Sequence, residues 1–192
     1  MADRDEIAAE FAAVVGAMGR AEFALLEQIG VSLAELPPGR SIVAVGRGRI
    51  DSAILFAPDP EGEPLLMVAA GEHDRRDGGW LSIVDLVAWR PSAPQRWWRR
   101  TGAAGVLGDL DDARFQPRPV LHLRASPLAW VRAGGQGATV LDWRADPRDL
   151  LSGFAEIRCS SPAVAERLAR RAAECARWAT AITVAEARRD AA

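Results

Sequence analysis

The sequence predicts a mixed fold, α/β or α+β: a long N-terminal helix, a mixed sheet with an antiparallel first half, and a βαβαβ C-terminal part. Three observations carry this. Apolar residues recur at spacings of four and three along the N-terminal stretch. Short apolar segments separated by turn-forming residues follow. Ser-Pro or Asp-Pro pairs then mark one helix start after another.

The first helix is expected over residues 3–29. Asp3 and Glu6 form a capping-box-like start, and Gly30 is a plausible stop. Ile7, Phe11, Val14, Met18, Ala21 and Leu25 form its apolar stripe. Gly16 and Gly19 each weaken the helix by about 1 kcal/mol relative to alanine, and they permit close approach of another backbone. Residues 1–30 thus form an amphipathic unit packed on, or appended to, a single α/β-type domain over residues 31–192. The stripe suits either the chain's own core or a homodimer through residues 3–29. In the second case Phe11 and Met18 would be exposed in the isolated chain.

"VSLAELPPGRS" reads as a loop, because Pro37, Pro38 and Gly39 break any periodicity. Strands are expected at 41–47, 52–57, 64–70 and 81–89, joined as an antiparallel meander, with "PDPEGEP" as a hairpin connection and "GEHDRRDGG" as a polar turn. In the second half, Ser126-Pro127, Asp146-Pro147 and Ser161-Pro162 start helices near 127–133, 147–152 and 162–177. Strands are expected at 137–143, 154–159 and 179–184, which together make a small parallel sheet. On the last helix Val164, Leu168, Ala172 and Cys175 form an apolar stripe, with Arg167, Arg170, Arg171 and Glu174 opposite.

The composition is that of a globular chain: 192 residues, 49% hydrophobic, 26% charged, net charge -2. No global field draws it to nucleic acid or membrane, so such binding needs a local patch. Lysine, asparagine and tyrosine are absent, and all 24 basic residues are arginine. Those three types have A/T-rich codons, so a GC-rich genome explains the bias, and arginine count alone says little about function. Cys159 and Cys175 are not a close pair and read as free thiols in a reducing cytoplasm. The acidic start is no signal peptide, and no run approaches the ~20 apolar residues of a membrane span. The expectation is a cytoplasmic protein without membrane contact.

No cofactor is expected. "GRGR" and "GGQG" match neither the phosphate-loop nor the dinucleotide pattern, and no G-x-S-x-G occurs. His73 and His122 lack partners at metal spacing. The candidate interaction surface is "PQRWWRRTG", read as a helix running from Pro94 toward Gly102 or Gly108. Arg96, Trp97, Trp98, Arg99 and Arg100 combine indoles with positive charge, which suits single-stranded nucleic acid or a protein partner. The same residues suit core packing, with arginine stems lying over the rings. At least one of Trp97 and Trp98 should be buried, with Arg96, Arg99 and Arg100 facing solvent. Among the carboxylates, Asp85 interrupts an apolar run and needs a partner such as an arginine. Asp142 ends an expected parallel strand, where open α/β sheets place their sites. With Asp109 and Asp111 of "DLDD" it could hold a divalent cation.

"IVDLVAWRPSAPQRWWRRTGAAGVLG" and "SPLAWVRAGGQGATVLDW" resemble uncharacterised proteins from prophage-like or mobile regions of GC-rich alphaproteobacteria. The likeness spans residues 81–143, about a third of the chain. It implies a setting in which nucleic acid is handled, and it supplies no active residues. The expected function is a non-enzymatic accessory or binding protein of such a system, acting through nucleic acid or a protein partner. One alternative is a metal-dependent enzyme using acidic residues at strand ends. It resembles the Toprim arrangement of primases and topoisomerases at fold level only, because that family's glutamate-bearing first strand and its D-x-D pair in context are not found. Another alternative is a structural homodimer.

Overall fold

The computed structural model describes residues 4–31, 43–74, 80–108, 110, 114 and 117–189. Helices pack on a curled, mostly antiparallel sheet in a mixed α+β architecture. The N-terminal stretch is two helices, α1 (Arg4–Gly16) and α2 (Arg20–Gln28), where one was expected. Two glycines close together weaken the helix, and the break falls between them. Gly19 is extended (φ -114°, ψ -166°), and its N–H donates to Glu22 at 2.9 Å, which caps the new helix. Gly30, at φ +74°, follows the end of α2 as anticipated. The cap expected at Asp3 lies outside the described residues.

Five strands form one sheet: β1 (Val43–Ile50), β2 (Phe56–Pro58), β3 (Glu63–Asp74), β4 (Trp80–Trp89) and β5 (Trp97–Arg99), in the order β2-β1-β3-β4-β5. Four of these were expected, but not as a simple meander. β3 returns past the short β2 to pair with β1, from Glu63 opposite Gly48 to Val68 opposite Val43. Gly62 makes this crossing passable, since a Cβ there would lie 2.4 Å from the Gly48 carbonyl oxygen.

The expected helix after Pro94 is β5 instead. Two turn hydrogen bonds, Ala93 to Arg90 and Arg96 to Ala93, reverse the chain directly onto β4. Trp97, Trp98 and Arg99 then face Trp89, Ala88 and Val87. Beyond β5 the sheet curls round to meet its own start. The Arg99 N–H donates to the Ile54 carbonyl at 2.9 Å, and Leu55 bridges Arg99.

Alternate residues of these strands point to opposite faces, and both faces are covered. Ala44, Leu65, Met67, Leu86, Ala88 and Trp98 pack with Ile7 and Phe11 of α1. Val43, Leu66, Val68, Val87 and Trp89 pack with Leu26 of α2 and with C-terminal residues including Trp130 and Leu141.

The C-terminal half contains β6 (Val106–Leu107), β7 (Val120–Leu123), α3 (Pro127–Arg132), β8 (Thr139–Val140), α4 (Pro147–Leu150), β9 (Glu156–Cys159) and α5 (Pro162–Arg189). All three helix starts appear where expected. Ser126 caps the Ala129 N–H, Asp146 that of Arg148 and Ser161 that of Val164. The parallel βαβαβ sheet does not form. Among the described residues β7 and β9 pair in parallel, with one isolated parallel bridge between Leu123 and Ala138, while β8 pairs antiparallel with β6. The strand expected at 179–184 lies within α5. No breaker interrupts that alanine-rich stretch, and a nucleated helix propagates through it despite its β-branched residues. Among the described residues no helix is long and apolar enough to cross a membrane.

Candidate functional site

A cleft of about 280 Å³ lies among β5, the turn at 141–144 and α5. Strand geometry decides which residues of the Trp/Arg run reach it. Trp97 and Arg99 line it, while Trp98 joins the core under α1. The Trp97 indole N–H donates to the Leu141 carbonyl at 3.3 Å, which ties β5 to the opposite wall. Trp98 is buried, with the guanidiniums of Arg90 and Arg96 each 5.3 Å from its ring centroid. One tryptophan of the pair is therefore core, as anticipated.

The arginines divide differently from expectation. Arg96 is exposed. Arg99 is only 6% exposed. β5 turns it inward onto three acceptors: the carbonyls of Gly102 (3.0 Å) and Ala104 (2.9 Å), and Asp142 Oδ2 (3.1 Å). A guanidinium so satisfied can be buried without a free charge. Arg100 points toward α1 and bonds Glu10 at 3.1 Å.

Asp85 is fully buried, and its partners are backbone amides rather than the expected arginine. It accepts from the N–H groups of Leu86 (2.9 Å), Thr101 (2.9 Å) and Ala104 (3.1 Å). The turn at 99–104 is thus held by an acid that takes its amides and a base that donates to its carbonyls.

Asp142 does not end a parallel strand, because β8 is antiparallel to its neighbour. Its Oδ1 accepts the Arg144 N–H at 2.9 Å and its Oδ2 accepts from Arg99. Burial works to raise its pKa, but the Arg144 amide and then the Arg99 guanidinium outweigh it, leaving the carboxyl below its ordinary value. Asp109 and Asp111 lie outside the described residues. Among the described residues no group of three or more His, Cys, Asp or Glu side chains could hold a metal ion. His122 is exposed on β7, and Cys159 and Cys175 are free and half-buried.

Three further lining residues, Trp143, Arg144 and Arg167, were not singled out as a site by sequence reasoning. Arg167 sits with its guanidinium 4.2 Å from the Trp143 ring centroid. Burial, then the like charge of Arg170, lowers its pKa. From α5, Arg171 donates to the Arg144 carbonyl and steadies the turn. The available signal was the run "LDWR" (141–144), which repeats the indole-beside-arginine pattern of "RWWRR".

Among the described residues, Arg96, Arg144 and Arg167 have no carboxylate partner, whereas Arg49, Arg90, Arg100, Arg148 and Arg158 each have one. Arg99 and Asp142 cancel each other, so the cleft carries an excess of three positive charges beside two indoles. It can attract an anion and offer aromatic surface to a flat ring. The chain matches no family model, no curated protein and no solved structure.

Proposed function

We propose that this protein is a non-enzymatic binding protein that acts through single-stranded nucleic acid, as an accessory component of a mobile-element or prophage-like system. The observation that carries the binding chemistry is the cleft lined by Trp97, Trp143 and the guanidinium-bearing Arg96, Arg144 and Arg167, none of which has a carboxylate partner among the described residues. Indole faces stack on any base, and guanidiniums bond phosphate oxygens. GC-biased codon usage explains many arginines, but it does not explain four of them lining one cleft that holds a single acid, Asp142. The setting rests on the resemblance over residues 81–143, which contributes β4, β5, α3 and the Leu141–Trp143 wall.

The test is fluorescence anisotropy of a labelled single-stranded oligonucleotide at low and rising salt. Three phosphate contacts give a log–log salt slope of roughly -2. Arg144→Ala combined with Arg167→Ala should weaken binding and bring that slope to roughly -0.7, with the fold intact by circular dichroism. Arg99→Ala belongs to a different class, because it removes a structural bond set. Absence of binding by the unmodified protein at low salt would sink the proposal.

A further inference from the structure

We infer that the cleft receives a single nucleotide unit bearing a terminal phosphate, that is, a phosphomonoester with a base attached, rather than the interior of a strand. This rests on the nucleic-acid reading above and narrows it. Three features of the cleft support it.

The first is size. About 280 Å³ lies just below the usual range of small-molecule pockets, roughly 300–1,000 Å³. That is space for one base with its sugar phosphate, not for a stack of several.

The second is charge. A phosphodiester inside a strand carries one negative charge, whereas a phosphomonoester carries about -1.5 to -2 near neutral pH and presents three acceptor oxygens. The excess of three guanidiniums, contributed by β5's approach (Arg96), the turn (Arg144) and α5 (Arg167), suits the monoester better. Arg144 and Arg167 come from the turn and from α5, two separate elements that meet at the cleft, rather than from one line of side chains that would track a backbone, while the Arg96 guanidinium lies over the Trp98 ring.

The third is the wall. Trp97 is tied through its N–H to the Leu141 carbonyl, so its ring is a fixed platform. Asp142, only partly exposed, lines the same cleft and is held by Arg99 and the Arg144 amide. Its carboxylate presents an acceptor to an amino or hydroxyl donor of the ligand.

One ligand chemistry has two sources here, a free nucleoside monophosphate or the phosphorylated end of a strand. The full-length protein should be titrated by calorimetry with adenosine 5′-monophosphate, adenosine and inorganic phosphate. It should also be titrated with a short oligonucleotide phosphorylated at its 5′ end, at its 3′ end, or at neither. The monophosphate is expected to bind at least tenfold more tightly than adenosine or phosphate alone. Arg144→Ala with Arg167→Ala should erase that advantage, while Arg144→Lys with Arg167→Lys should keep part of it. Thermal unfolding of each variant guards against loss of fold. A tenfold preference for one phosphorylated oligonucleotide over the unphosphorylated one assigns the strand end. Preference for the monophosphate over every oligonucleotide assigns the free nucleotide. If all oligonucleotides bind alike and the monophosphate does not bind, the single-nucleotide inference is overturned while the strand-binding reading stands. If nothing binds, both fall.

Discussion

Asp85, Asp142 and Glu10 place carboxyl groups in or against the apolar core, and each carries a measurable consequence. Asp85→Ala leaves the amides of Leu86, Thr101 and Ala104 without their side-chain acceptor. Stranding buried donors costs about 1–3 kcal/mol apiece, so urea unfolding should show a loss of about 3 kcal/mol or more. A loss under about 1 kcal/mol would mean that water or a shifted turn replaces the carboxyl. Glu10 and Asp142 should give pH dependences of opposite sign. Burial raises the Glu10 pKa from its ordinary value of 4.5; Arg100 opposes this and Glu6 adds to it. The folded chain then keeps a proton that the unfolded chain has released, so stability falls as pH rises from 4.5 through the raised value. Asp142 is depressed, so its contribution is full above the ordinary carboxylate range and is lost as pH falls through its folded value. Unfolding at a series of pH values should lose the first slope in Glu10→Gln and the second, below about pH 4, in Asp142→Asn. Equal slopes in wild type and variants would refute the assignment.

At the scale of elements, α1 belongs to the chain's own core. Ile7 and Phe11 are buried against β1, β3 and β4, and Met18 packs beside two core clusters. Phe11→Glu with Met18→Glu should therefore abolish folding. A folded monomer from that double variant would instead show that the stripe serves a second copy, which Phe23, 42% exposed on α2, would then join. Most helices were legible because their signals are local, a capping side chain followed by proline; the division of the N-terminal stretch was not, because two glycines only weaken a helix and do not by themselves say that it ends. β5 was not legible. It is short, and Trp98 and Arg99 are buried on opposite faces, so no apolar–polar alternation betrays a strand. Pro94 suited a helix start equally well, and only the turn onto β4 decides between them. The parallel C-terminal sheet failed for a related reason. Strands such as β6 and β8 are too short to announce their partners.

At the scale of the molecule, one core cluster draws on α2, the sheet and the C-terminal half together, joining Leu26, Trp89, Trp130 and Leu141. Arg132 adds a tie across the same boundary, bonding the Ile29 carbonyl from α3. Loss of tryptophan fluorescence and of far-ultraviolet helix signal should therefore coincide in a single unfolding transition. Two separated midpoints would mean that the halves melt independently. The cleft was half legible for the same reason that it is a tertiary object. Arg96, Trp97, Arg99 and Asp142 stand out within their own stretches. Trp143, Arg144 and Arg167 acquire meaning only when α5 and the turn at 141–144 are brought against β5. The curl of the sheet has a consequence for the proposed binding role. Where Ile54 and Leu55 meet Arg99, the two ends of the sheet shelter each other. A foreign strand finds no open row of amides there to extend. β-Augmentation, a common route by which sheets capture extended peptides, is closed at that seam. Under the proposed binding role, recognition at the cleft beside it would run through side chains, and changing those side chains would alter what is bound without redrawing the backbone that holds them.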